Sequence, residues 1–173
     1  MKIILTIKQQ DIEPGYVEPE NVQYYERYAA RAVLLDESGR VALLHSSKRN
    51  YYKLPGGGVE KNEDMSRALA RELLEEVGAE AEVTGEIGRV EEWRDNSDKQ
   101  LHQVSDAYLA KVIGDIAQPD FTEEEIADGF SVVWADDIQH AIELVKSAST
   151  SVDYEVLFMS NRDSAILVAA LSQ

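Results

Sequence analysis

The chain is 173 residues long, 44% hydrophobic and 29% charged, which suits one globular domain able to close its own core. Its 33 acidic and 17 basic residues leave a net charge of −16, which argues against a nucleic-acid polymer or an anionic membrane as partner. Cysteine is absent, which excludes disulfides, thiolate metal sites and cysteine nucleophiles and makes a reducing, cytoplasmic location the expectation.

Residues 1–9 alternate like a strand, and the apolar stretch from Ile3 to Ile7 is too short for a signal-peptide core. Asp11 to Asn21 holds Pro14-Gly15 and Pro19 and reads as a loop, so residues 1–25 form a strand-and-loop extension. Arg27 to Ser47 predicts two strands turning at Glu37 to Arg40, with a loop through Arg49, Asn50, Tyr51 and Tyr52 behind them. Asp64 to Val77 predicts a helix stopped by Gly78, a residue suited to a left-handed terminus. Ala81 to Asp95 and Leu101 to Asp115 predict long strands around a polar loop, Asn96 to Gln100. Pro119 to Asp128 is an acidic connector, and Ser131 to Trp134 is a short strand.

Asp136 is expected to cap a helix carrying Ile138, Ile142 and Val145 at helical spacing. Val152 to Leu171 reads as helical with a break near Ser160-Asn161, and its apolar tail from Ala165 is far below a membrane span. No repeat or linker divides the chain. Residues 1–173 therefore read as one domain, with helices over 136–173 and a mixed, β-rich core of the α/β or α+β class.

Chemistry concentrates between Leu54 and Ala79, LPGGGVEKNEDMSRALARELLEEVGA. On a helical wheel with about 100° per residue, Glu76 falls about 40° to one side of Glu72 and Glu75 about 60° to the other. Leu69, Ala70, Leu73 and Val77 form the core stripe beside them. Like charges at these spacings cost a helix a few tenths of a kcal/mol per pair, and Arg71 offsets only part of that. Clustered carboxylate oxygens suit Mg²⁺ or Mn²⁺, and the preceding glycines let backbone approach a metal or phosphate. A glutamate pair alone is an ordinary solvated helix face; nine positions fixed together are not. Chance agreement with that spacing is on the order of one in a million.

The spacing G-x5-E-x7-R-E-U-x-E-E-x-G-U, where U is a bulky aliphatic residue, resembles the Nudix box, and Gly57 to Ala79 carries it with Ala79 smaller than usual. Leu54-Pro55-Gly56 matches the common lead-in, Tyr52 stands where tryptophan is frequent, and Asn62 replaces a frequent glycine. The resemblance implies an α/β/α sandwich around a mixed β-sheet. It also implies that Glu72 and Glu76 are the principal ligands of Mg²⁺ or Mn²⁺, with the Gly56 carbonyl as a further ligand. Glu75 then assists as ligand or base, while Gly57, Glu63, Arg71 and Gly78 hold the loop and helix. The implied reaction is hydrolysis of a diphosphate linkage in a nucleoside diphosphate joined to another group, by water attack at phosphorus. The alternative is a non-catalytic Nudix domain that senses a nucleotide, against which the intact glutamates argue. The isomerase branch of the fold relies on a cysteine, which this chain lacks.

Family members often recruit one more acidic residue beyond the box; among Glu123, Glu124 and Glu125, Glu124 is favoured. Arg49 and Lys53 flank the glycines and can touch phosphates, and Trp93 is the chosen base-stacking residue over Tyr51 and Tyr108. His45 and His102 read as ordinary strand residues. The proline and tyrosine that mark ADP-ribose and dinucleoside polyphosphate hydrolases are both missing after the box. The expected partner is a small nucleotide-like diphosphate, with a homodimer possible through the first strand or last helix.

Overall fold

A computed structural model describes residues 1–96 and 99–172. Among the described residues seven strands make one mixed sheet: β1 (Ile3–Lys8), β2 (Tyr24–Leu35), β3 (Val41–Ser46), β4 (Tyr51–Lys53), β5 (Glu80–Asn96), β6 (Lys99–Ile113) and β7 (Phe130–Ala135). Their order is β1-β5-β6-β2-β3-β4, and β7 also pairs with β3. The β1–β5 and β2–β6 pairs are parallel, whereas the long β5–β6 ribbon is antiparallel. Among the described residues five α-helices and a 3-10 turn at Ser147–Thr150 complete the fold: α1 (Gln9–Ile12), α2 (Met65–Val77), α3 (Glu123–Ala127), α4 (Ile138–Lys146) and α5 (Tyr154–Leu171).

The two faces of the sheet bury different helices, which produces the α/β/α layering. Ala68, Leu69, Leu73 and Val77 of α2 pack on Ala30, Ala32 and Leu34 of β2. On the other face, Val33 and Val90 meet Ile142 and Val145 of α4 and Phe158, Ile166 and Leu167 of α5. Each large apolar side chain buried in this way contributes roughly 1.5–3 kcal/mol.

Strands β2 and β3 pair only at Leu35 and Val41 and then part. The glycine loop fills the opening: Ala32 N–H donates to the Pro55 carbonyl at 3.1 Å, Ala30 N–H to Gly57 at 3.0 Å, and Val59 N–H to Tyr28 at 2.9 Å. The glycine-rich stretch is thus held against β2 by backbone hydrogen bonds, with an isolated antiparallel bridge between Ala29 and Gly58.

Several expectations need correction. Tyr51–Lys53 is a strand rather than a loop, because its backbone pairs with Leu44 to Ser46. The segment after β1 contains the short α1, and the acidic connector contains α3, started by a reciprocal Thr122–Glu125 cap. Asp137, not Asp136, caps α4: its extended backbone sets the carboxylate under the His140 amide at 2.8 Å. Helix α5 runs unbroken through Ser160 and Asn161, whose side chains donate to the Val145 and Leu157 carbonyls without disturbing it. On α2, Ala70 faces solvent and Ala68 completes the buried stripe.

β5 runs to Asn96 and β6 starts at Lys99. The centre of the loop expected at Asn96 to Gln100, residues 97–98, lies outside the described residues. Within this chain β1 is paired with β5 and α5 packs on α4. Among the described residues no helix is long and apolar enough to cross a membrane.

Candidate active site

The glycine loop and α2 form one wall of a cleft of about 830 Å³, closed by β2, β4, the residues around α3 and the start of α5. Glu76 is only 4% exposed and lies within the buried arc of α2, not beside it. Its carboxylate accepts from the Gly56 amide at 2.6 Å and from Lys53 Nζ at 3.0 Å. Glu72 accepts from Arg71 Nη1 at 2.9 Å. Burial and then the neighbouring Glu76 push the Glu72 carboxyl above its ordinary range. Glu75 is the most exposed of the three and also accepts from Arg71.

Two glycines of the loop act for different reasons. Gly56 has φ +124° and lies against the Ala30 carbonyl of β2, so a side chain would be strained and would meet backbone. At Gly57 a Cβ would overlap the Glu72 carboxylate. Asn62 has φ 70°, a conformation that asparagine tolerates in place of glycine.

Arg71 ties loop to helix. Its guanidinium donates to both Glu63 oxygens and to the Gly58 carbonyl at 3.0 Å, besides its bonds to Glu72 and Glu75. Hydrogen bonds from Arg71 and then from the Glu60 amide hold the Glu63 carboxyl below its ordinary range. Gly78 ends α2 in the left-handed region, where a side chain would strike the Ala117 carbonyl. The Ala117 amide donates to Gly78 and that of Asp120 to the Glu75 carbonyl, both at 2.8 Å. These bonds bring α3 over the cleft, where Glu124 and Glu125 line it. Glu125 spends its carboxylate on the Thr122 cap.

Of the residues expected to touch substrate, Arg49 and Lys53 both line the cleft. Arg49 is held by Asp153 at 2.5 Å and Glu155 at 2.9 Å, and lies over the Tyr51 ring. Trp93 is elsewhere. It is one residue out of phase with Glu92 and Arg94, which turn toward α5, so it faces the opposite side of the sheet. There it stacks on His102 at 3.8 Å, meets Tyr24 edge-on and lines a separate cavity of about 240 Å³. Tyr108 packs with the α2-side core, and His45 stacks on Tyr52 across the β3–β4 pair.

Sequence reasoning passed over Arg27 and Arg31, which also line the cleft. The available signal was two arginines four apart within a strand of small residues, hence on one face. Five basic and eight acidic side chains line the whole cleft, so a polyanion entering it needs an added cation. Among the described residues no three acidic or imidazole groups converge into a ready cation cage. The oxygens of Glu72 and Glu76 are nonetheless the hard donors a divalent ion takes, and such an ion would compete for them with Lys53 and Arg71.

Comparison with known proteins agrees with this architecture. The family model described as NUDIX domain matches residues 25–150. The "Putative 8-oxo-dGTP diphosphatase" of Bacillus subtilis (strain 168) is 29% identical over 94 residues, which are 54% of this chain and 59% of that protein. The chain thus spans under two thirds of that relative's length. The MutT protein from Methanosarcina mazei Go1 is 18% identical with a TM-score of 0.53, over 82% of this chain and 97% of that one. The NUDIX hydrolase from Nitrosomonas europaea is 16% identical with a TM-score of 0.56, over 80% and 90% respectively. The two structures share the fold. The family match itself extends from the first residues of β2 to the turn that follows α4, and on that breadth the chain belongs to the NUDIX domain family.

Proposed function

We propose that this protein is a pyrophosphohydrolase dependent on Mg²⁺ or Mn²⁺, which splits a diphosphate linkage in a nucleotide or nucleotide derivative by attack of water at phosphorus. The observation that carries the reading is the buried Glu76, set with Glu72 against the glycine loop in a cleft that also presents basic side chains. Glu72 and Glu76, with Glu75 and the Gly56 carbonyl beside them, are the residues to hold the ion. When bound, the ion neutralises diphosphate oxygens and makes a coordinated water more acidic. Glu75, open to solvent, and Glu124, held over the cleft by α3, are the groups placed to accept the water's proton. Lys53, beside Glu76, and Arg49, beside the start of α5, supply positive charge to the phosphates. The relative from Bacillus subtilis makes an oxidised purine nucleotide a natural member of the substrate panel.

The test is product release from nucleoside triphosphates, 8-oxo-dGTP, sugar nucleotides, ADP-ribose, NADH and dinucleoside polyphosphates, with and without Mg²⁺ or Mn²⁺. Glu76→Gln is expected to lower turnover about a hundredfold or more while circular dichroism stays unchanged. Full activity in that variant, or no metal-dependent release from any substrate, would sink the assignment.

A further inference from the structure

Arg31 lies on β2 and lines the cleft, yet it is only 6% exposed. Its Nε and Nη1 are buried and have no hydrogen-bond partner. The carboxylates that could neutralise it are already engaged. Asp163 is held by Arg162 Nε at 2.7 Å and by the Leu54 amide at 2.9 Å, and Glu76 by Lys53 and the Gly56 amide. The other basic side chains of the cleft have partners: Arg49 has Asp153 and Glu155, Arg71 has Glu63, and Arg27 has Gln103 at 2.9 Å. Burial, with Arg162 nearby, lowers the Arg31 pKa to about 10, and Asp163 and Glu76 oppose that shift only from a distance.

A guanidinium buried without acceptors is costly, and buried polar groups in folded proteins are ordinarily satisfied. Its fork of donors matches the oxygens of a phosphoryl group, and a phosphate arriving with a cation at Glu72 and Glu76 would lie within its reach. We infer that Arg31 is a substrate-binding residue whose missing acceptor is a phosphoryl oxygen of the diphosphate. The inference rests on the hydrolase reading for the nature of the ligand, but it concerns binding and not turnover.

The test uses methylenediphosphonate with MgCl₂ as a non-hydrolysable probe, with binding followed by calorimetry and stability by thermal melting. Arg31→Met should weaken probe binding about tenfold or more, leave Mg²⁺ binding without probe as tight or tighter, since a positive charge near Glu72 and Glu76 is removed, and keep or raise the melting temperature. Arg31→Lys, which retains charge without the fork, should fall between the two and serves if the methionine variant does not fold. Wild-type affinity in either folded variant, or no probe binding by the wild type, overturns the inference. A lower melting temperature in both variants also overturns it, by marking Arg31 as structural. A wild type that binds the probe through Arg31 but releases no product from any nucleotide would instead defeat the hydrolase reading and leave this one standing.

Discussion

At the scale of single residues, neighbouring glycines predict different failures. Gly56→Ala places a side chain at φ +124° against the backbone of β2, which has nowhere to move. It should cost roughly 1–3 kcal/mol, visible as a lower melting temperature. Gly57→Ala meets the end of the Glu72 side chain, which can swing aside. Its melting temperature should stay close to wild type while the Mg²⁺ concentration for half-maximal activity rises. Equal destabilisation by both changes would contradict this distinction. The box glutamates were legible in the sequence because their spacing is itself a statement about one helix edge. Arg31 was not: its spacing from Arg27 marks a shared strand face but says nothing about which acceptors the fold has already used.

At the scale of elements, the start of α5 depends on Asp153. Its carboxylate accepts from the Glu155 and Val156 amides and pairs with Arg49, at the edge of the cleft. Burial alone would raise the carboxyl; the Arg49 hydrogen bonds and the helix amides outweigh it and hold the pKa below its ordinary 3.8. The stability from this depressed pKa is therefore complete above about pH 4 and is lost as the pH falls through the folded value. Asp153→Asn keeps the cap but not the charge, so its urea midpoint should change less than wild type between pH 5 and 3. Asp153→Ala should cost about 1 kcal/mol at neutral pH. An unaltered acid response in the asparagine variant would remove Asp153 from the account. Periodicity predicted most helices and strands. It missed β4, α1 and α3, because three to five residues are fixed by pairing and capping rather than by a periodic face.

At the scale of the whole molecule, a buried polar network connects the last helix to the sheet. Glu92 accepts from Arg94 and from Gln103 Nε2 at 2.8 Å and faces Arg162 Nη1 at 3.6 Å, while Gln103 accepts from Arg27 at the cleft. Arg162 also grips Asp163 through two hydrogen bonds. Arg162→Met would leave the buried Asp163 carboxylate with only the Leu54 amide and take one cation from Glu92, which keeps Arg94 and Gln103; it should cost about 3–5 kcal/mol in urea denaturation, with little dependence on salt. A loss below about 1 kcal/mol would mean the network tolerates an open charge. The layered class could be read from the strand and helix pattern with the motif. This network could not, since its members are scattered over β2, β5, β6 and α5 and meet only in the folded chain.

The Leu54 amide donates to Asp163 across a separation of 109 residues. That bond makes the entrance of the glycine loop a property of the C-terminal helix as well as of its own sequence. Lifting α5 from the sheet removes the acceptor that pins Leu54, so opening of the helix and slackening of the loop belong to one cooperative unit. The glycine-loop backbone, local in sequence, is in this sense non-local in stability.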